Sequence, residues 1–409
     1  MAPPLQTRGW ISRVHSWAYC TALTALFAPM FLIAATHLAQ AQTFRAVYSF
    51  QDKKDGRNPQ VGLFTDAIYG TTFLGGDPTC GCGTIFKLLP GGTIRTLHTF
   101  VGTDGANPTA GLVEDNNGNL FGTTSQGGNG SSSAGTVFKL APPATVGAPW
   151  TETVLHTFTG GADGAHPYAG LIFDSAGNLY GTTNGGGAFN YGTVFKLDST
   201  GNETVLYSFT GFPDGASPYA GVVQDSAGNL YGTTGEGGAF NHGTVYKLDS
   251  SGIETVLHSF NGGTDGAYPC GGLTLDAAGN LYGIANEGGA TGNTGDNGTM
   301  FELNNAGSFT VLHTFSGGVG GANPAAGMIL NSVGKLLGVT TEGGDRDDDG
   351  TVFELDPTTG IFSLLHTFTA GSGGAYPYTG LILDSAGNLY GATVDGGTSK
   401  RGLVFEITP

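Results

Sequence analysis

The sequence predicts an all-β fold: a seven-bladed β-propeller of four-stranded blades, closed by pairing of the N-terminal strand with the C-terminal blade. Three observations carry that prediction. A glycine within a Tyr-Gly-Thr-Thr-like element recurs at Gly70, Gly122, Gly181, Gly232, Gly283, Gly338 and Gly391, at spacings of 51 to 59 residues that suit propeller blades. Each period holds four short β-branched or aromatic runs bounded by turn residues. The order of the runs is permuted, so that the chain after residue 42 opens on the fourth run, Thr43 to Phe50, and ends on the third, Gly402 to Ile407. The last blade then lacks only what the amino terminus supplies, and the closed ring leaves no exposed edge at that seam. An open solenoid would not leave a spare run at one end and the matching gap at the other.

Residues 1–41 have the plan of a secretory signal. Arg8 and Arg13 precede an apolar stretch from about Ala18 to Ala35, and the small-residue site Ala39-Gln40-Ala41 follows. Thr21, Thr24 and Pro29 interrupt the apolar stretch, which argues against a retained membrane anchor. The mature chain is expected to begin at Gln42, without membrane insertion, and to be secreted or periplasmic. It then carries thirteen basic against thirty-two acidic residues, a net charge of −19, which speaks against nucleic acid and anionic membrane surfaces as partners. Only 11% of residues are charged while 74 are glycine, the composition of a turn-rich β protein.

The unit is plainest in its third copy. Strand A is Ala-Gly-Leu-Ile-Phe-Asp from Ala169, strand B Asn-Leu-Tyr-Gly-Thr-Thr to Thr183, strand C Gly-Thr-Val-Phe-Lys-Leu from Gly192, and strand D Glu-Thr-Val-Leu-Tyr-Ser-Phe to Phe209. A joins B through Asp174 to Asn178, and C joins D through Asp198 to Asn202; in each hairpin a glycine supplies positive φ. By this pattern the blades span approximately 61–100, 110–158, 169–209, 220–260, 271–315, 326–368, and 379–407 plus 43–50. From the D phenylalanine to the next A glycine the chain runs twelve residues in six copies and eleven in the other, as a fixed crossover between blades should. The B–C loops vary instead, and variable loops on one rim of a rigid scaffold are where binding usually resides.

The hairpin Pro167 to Thr183 is similar to the Asp-x-x-Gly-Asn hairpin of NHL-type propellers. Over all seven copies the chain more closely resembles the exported GloVer (choice-of-anchor) tandem-repeat proteins, in Gly192 to Leu197, Val256 to Phe260 and the Asp-Gly and Pro-x-Ala-Gly elements between Asp214 and Val222. That resemblance implies export and a repeat scaffold, with no established catalytic activity. Members of that family are described as carrying a carboxy-terminal anchor, whereas this sequence finishes at Phe405-Glu406-Ile407-Thr408-Pro409, so free secretion or periplasmic residence is expected.

Histidine recurs at one D-strand position, His98, His156, His258, His313 and His366, with Tyr48 and Tyr207 in the remaining copies. Equivalent outer-strand positions diverge around a ring and cannot share one metal ion, so these residues are expected to fill space between blades. Asp55, Asp104, Asp163, Asp214 and Asp265 precede glycine in the crossovers, a turn signal first; a carboxylate ring at the channel mouth is the alternative. Of the three mature cysteines, Cys80, Cys82 and Cys270, a bridge between the first two must close a very tight ring, so all three are expected to be loop thiols without a role.

Three loops carry the chemistry that remains. Asp345, Asp347 and Asp349 form an Asp-x-Asp-x-Asp-Gly pattern like the start of a calcium loop, although Asp356, where a twelfth-position ligand would sit, lies roughly 20 Å up the strand. A solvated acidic loop without a cofactor is the expectation, and bound calcium is the alternative. The loop tips Phe189-Asn190-Tyr191 and Phe240-Asn241-His242 set an aromatic face beside an amide, able to stack on a sugar and bond its hydroxyls unless the phenylalanine tucks under its loop. No catalytic constellation breaks the repeat. The expected function is therefore a non-catalytic binding or scaffold module for a polysaccharide or cell-surface protein, acting through its B–C and D–A rim; a hydrolase or lyase acting on an extracellular carbohydrate or lactone is the alternative.

Overall fold

The computed structural model describes residues 42–60, 67–129, 133–145, 147–289 and 297–409. The expected signal segment, the expected inner strand of the first blade from residue 61, and parts of the second and fifth B–C loops fall outside the described residues. The described chain folds into seven sheets of four antiparallel strands. Blades 1 to 6 run 57–99, 113–157, 172–208, 223–259, 274–314 and 329–367, and blade 7 combines 382–408 with Thr43–Ser49. The amino-terminal strand pairs with Leu403–Thr408 in the register Thr43↔Thr408 to Ser49↔Leu403. The guanidinium of Arg45 donates to Glu406 Oε2 across this pair, and the Phe50 amide donates to Gly402 O at 3.0 Å.

The repeated B-strand glycine has a packing cause. A Cβ on Gly181 would lie 2.6 Å from Cζ of Phe195, and the same conflict of a C-strand aromatic ring with a glycine occurs in every blade. Each such ring meets the phenylalanine that ends the preceding D strand, edge to face in six pairs and tilted in Phe315–Phe353. The seven pairs are Phe50–Phe86, Phe100–Phe138, Phe158–Phe195, Phe209–Tyr246, Phe260–Phe301, Phe315–Phe353 and Phe368–Phe405, with centroids 5.0 to 5.4 Å apart. Aromatic pairs in this geometry add about 0.5–1.5 kcal/mol to their burial. The core is therefore a belt of seven inter-blade contacts, and the one across the closure is made by a residue of the amino-terminal strand.

Strand A is shorter than the pattern suggests, two residues in six blades, such as Ile172–Phe173. The Pro-x-Ala-Gly segment before it runs along the axis instead, where proline has no amide to give a sheet. Strand D carries a β-bulge against strand C in all seven blades, for example between Val194↔Tyr207 and Phe195↔Val205. The extra residue inverts the alternation of side chains. Two D-strand positions four residues apart, such as Phe309 and His313, would otherwise share a face; here Phe309 faces the preceding blade and His313 the following one, as His258 on Phe309 and His313 on Phe362 show.

Candidate functional site

The two ends of the ring differ in construction. At one end the A–B and C–D turns are closed by their own polar groups. Asp174 Oδ1 accepts the amides of Ala176 and Asn178, its Oδ2 accepts from Asn178 Nδ2, and Asp225, Asp276 and Asp384 repeat the arrangement. A cleft of about 650 Å³ lies here between blades 3 and 4, but the carboxylates on its wall, Asp174, Asp225 and Asp249, are engaged in these turns.

The other end carries the B–C loops and D–A crossovers, tied to each other by pairs such as Ala165↔Gly185 and Ala216↔Glu236. All seven exposed aromatic side chains among the described residues lie on it: Phe189, Tyr191, Phe212, Tyr219, Phe240, Tyr376 and Tyr378. Phe189 and Phe240 are 57% and 58% exposed, so neither tucks beneath its loop. Asn190 and Asn241 have positive φ, and their Oδ1 atoms accept the amides of Gly186 and Gly237, which closes each loop and holds the preceding phenylalanine outward. Tyr191 lies on the backbone of Gly211, and His242 lies in the same way on Gly262; a Cβ at either glycine would strike the ring.

Between blades 3 and 4 these parts enclose a cleft of about 510 Å³ whose walls include Tyr191, Phe212, Glu236, Phe240 and Asn241. Phe189 and His242 stand outside that wall. Phe212 and Glu236 were not singled out from sequence; their only signals were an aromatic in a crossover and an acid two residues past the Thr-Thr of strand B. The position of Glu236 is also acidic in the three following blades, as Glu287, Glu342 and Asp395, all exposed. The axial channel is narrow, about 210 Å³, lined by segments such as Ala169-Gly170, Ala220-Gly221 and Gly271-Gly272. Cys270 lines it as a free thiol, pushed up to about 12 by burial and then by the charges of Glu287 and Glu236.

Asp345, Asp347 and Asp349 are brought together on this end, with one ligand atom of each within 4.8 Å of the others. Asp349 is buried, 3% exposed, and its Oδ2 has no hydrogen-bond partner. Burial first, and then the charges of Asp345, Asp347, Asp395 and Asp348, hold its carboxyl above the ordinary range. Asp356 serves its own turn, accepting the amides of Thr358 and Thr359, while Asp395 of blade 7 adds an acid that loop spacing could not reveal. Carboxylate oxygens are hard donors of the kind calcium takes.

One expectation is corrected. Cys80 and Cys82 are joined in a disulfide with their Cα atoms 5.2 Å apart, because the turn from Asp77 to Gly81, with Gly81 at φ 62°, folds the first cysteine back over the second. The crossover aspartates serve their turns, as the Asp-Gly signal predicts, and do not form the alternative ring at the channel mouth. Each closes its turn and holds the D-strand residue before it: Asp214 accepts from Tyr207 Oη at 2.6 Å, Asp55 from Tyr48 Oη at 3.0 Å, and Asp104 and Asp265 stand 3.0 and 3.1 Å from His98 and His258 Nε2. The histidines fill the seams between blades, as their alternation with tyrosine predicts.

The model of the Gloeobacter/Verrucomicrobia repeat matches residues 34–149, 135–295 and 289–409. The chain belongs to this repeat family. No curated protein matches it. Among solved structures, this repeat protein is similar to the extracellular domain of a hybrid two-component system from B. thetaiotaomicron, with TM-score 0.56 at 10% identity, over 89% of this chain and 39% of that one. A second such domain from B. thetaiotaomicron gives TM-score 0.54 at 12% identity, over 90% of this chain and 41% of that one. Oligogalacturonate lyase from Vibrio parahaemolyticus gives TM-score 0.54 at 10% identity over 90% and 96%. The repeat protein thus spans about two fifths of the length of the extracellular chains. At these identities the likeness is one of fold.

Proposed function

We propose that this repeat protein is an exported, non-catalytic binding module that presents its B–C and D–A end to a polysaccharide or a cell-surface protein, with the cleft between blades 3 and 4 as the principal contact. The observation that carries this reading is the segregation of every exposed aromatic side chain among the described residues onto one end of the ring. Exposed aromatic rings cost solvation free energy unless a partner covers them. Tyr191, Phe212 and Phe240 offer apolar faces for sugar rings, and Glu236 offers an acceptor for hydroxyl groups, in a cleft within the usual size of a small-ligand site. The acidic loop of blade 6 supports calcium as a bound ion on the same end.

Export accords with the signal-like residues 1–41, with the Cys80–Cys82 disulfide, which is at home in an oxidising compartment, and with the extracellular setting of two similar structures. No helix among the described residues is long and apolar enough to cross a membrane. A glycan array probed with the protein tests the proposal. Binding to a polysaccharide that is lost in the Phe189→Ala/Phe240→Ala variant is the expected result; absence of binding to every glycan and to cell-surface extracts opposes it.

A further inference from the structure

The D-strand bulge gives each seam between blades three contact positions: the D-strand histidine or tyrosine of one blade, the crossover residue that follows it, and the residue four positions before the D-strand histidine or tyrosine of the next blade. Three seams place phenylalanine at the last position, and an imidazole stacks on it: His258–Phe309, His313–Phe362 and His366–Phe44, with centroids 3.7 to 4.1 Å apart. Three others place glutamate there. They are His98, Asp104 and Glu152 between blades 1 and 2, His156, Asp163 and Glu203 between blades 2 and 3, and Tyr207, Asp214 and Glu254 between blades 3 and 4. In all three the glutamate Oε1 is buried without a hydrogen-bond partner. Two carboxylates meeting in a half-buried seam require a proton or a cation between them.

Between blades 1 and 2 the ligand atoms converge. One atom from each of His98, Asp104 and Glu152 lies within 4.8 Å of the others, and His98 Nε2 is 3.0 Å from Asp104 Oδ2. Ligands about 2 Å from a tetrahedral ion stand about 3.3 Å apart, so small side-chain adjustments suffice. We propose that His98, Asp104 and Glu152 form a binding site for a divalent transition cation of the zinc class. One nitrogen and two carboxylates are a zinc-type donor set, whereas calcium takes six to eight oxygens. The three ligands come from three separate segments, two of them the outer strands of adjacent blades. The Val101 amide donates to Asp104 Oδ1 at 2.9 Å and so fixes the carboxylate from behind. The His98 and Asp104 side chains are 18% and 16% exposed, which leaves a solvent path for the ion. The repeat contains its own control: His258 and Asp265 keep the same pairing at 3.1 Å, but Phe309 replaces the glutamate and covers the imidazole.

The test titrates zinc chloride into purified protein stripped with EDTA, with calorimetry and elemental analysis giving the stoichiometry, for wild type and for Glu152→Phe. That substitution recreates the stacked seam found elsewhere in the ring and so preserves packing; Asp104→Asn, which keeps shape, gives a second reading if Glu152→Phe unfolds. The proposal predicts one zinc ion fewer in each variant and a zinc-dependent rise in Tm that is larger in wild type. Equal stoichiometry in wild type and variants, or no zinc bound by wild type up to about 100 µM, overturns it.

Discussion

The imidazole of His366 lies flat on the ring of Phe44, with centroids 3.8 Å apart and planes within 1° of parallel. Phe44 belongs to the amino-terminal strand that completes blade 7, so this stack joins blade 6 to the closure of the ring. Burial pushes the imidazole down to about 4 from its ordinary 6.5. Between those values the unfolded chain accepts a proton that the folded chain resists. The contribution of the stack is therefore complete above pH 6.5 and is lost as pH falls through the folded value. We expect NMR titration of His366 to give a midpoint near 4, and His366→Phe to lose less stability than wild type on acidification, by on the order of 1 kcal/mol after allowance for solvent screening. A midpoint near 6.5 would show that the ring is not held in the seam.

Glu254 behaves in the opposite sense. Burial, and then the charge of Asp214, raise it to about 7 from 4.5. Here the folded chain holds a proton that the unfolded chain releases, so the stabilisation is full below pH 4.5 and disappears as pH rises through 7. Glu254→Gln should gain on the order of 1 kcal/mol over wild type at about pH 8, again allowing for screening, and differ little at about pH 5. Urea unfolding at both values decides it; an equal change at both would assign the effect to packing alone.

Tyr246 stands where the other six blades place phenylalanine, and its hydroxyl is fully buried without a partner. Leaving a buried polar group unpaired costs about 1–3 kcal/mol. Tyr246→Phe should therefore raise Tm, as thermal unfolding followed by circular dichroism would show. A fall would mean that the hydroxyl has a partner worth keeping.

The acidic loop of blade 6 should bind calcium through Asp345, Asp347 and Asp349. Asp349→Asn is expected to weaken calcium binding at least tenfold in calorimetry, because it removes charge at the buried centre of the cluster. No heat on adding calcium to wild type would make the loop a solvated acidic turn.

The ring itself was legible in the sequence because its cause is local to each repeat. Gly181 must lack a side chain where Phe195 crosses it, and the same pair recurs seven times. The seams were not legible. Glu152 and His156 sit four residues apart and read as one face of a strand, but the bulge sends them to opposite neighbours, and the partners of each belong to another repeat. The Cys80–Cys82 bond depends on the turn from Asp77, which spacing alone does not reveal. At the candidate site the aromatic loop tips were visible, whereas their outward pose follows from Asn190 and Asn241 bonding within their own loops. Phe212 and Glu236 complete the cleft from separate segments.

Recognition of a polysaccharide by the aromatic end of the ring is open to direct measurement. Affinity electrophoresis through gels containing a panel of polysaccharides compares wild type with two variants, Tyr191→Ala/Phe240→Ala on that end and Ile253→Ala/Val333→Ala in the turns of the other. Wild type and the turn variant should be retarded alike in at least one gel, with the aromatic variant migrating freely at unchanged Tm. Equal retardation of all three, or loss confined to the turn variant, would contradict it.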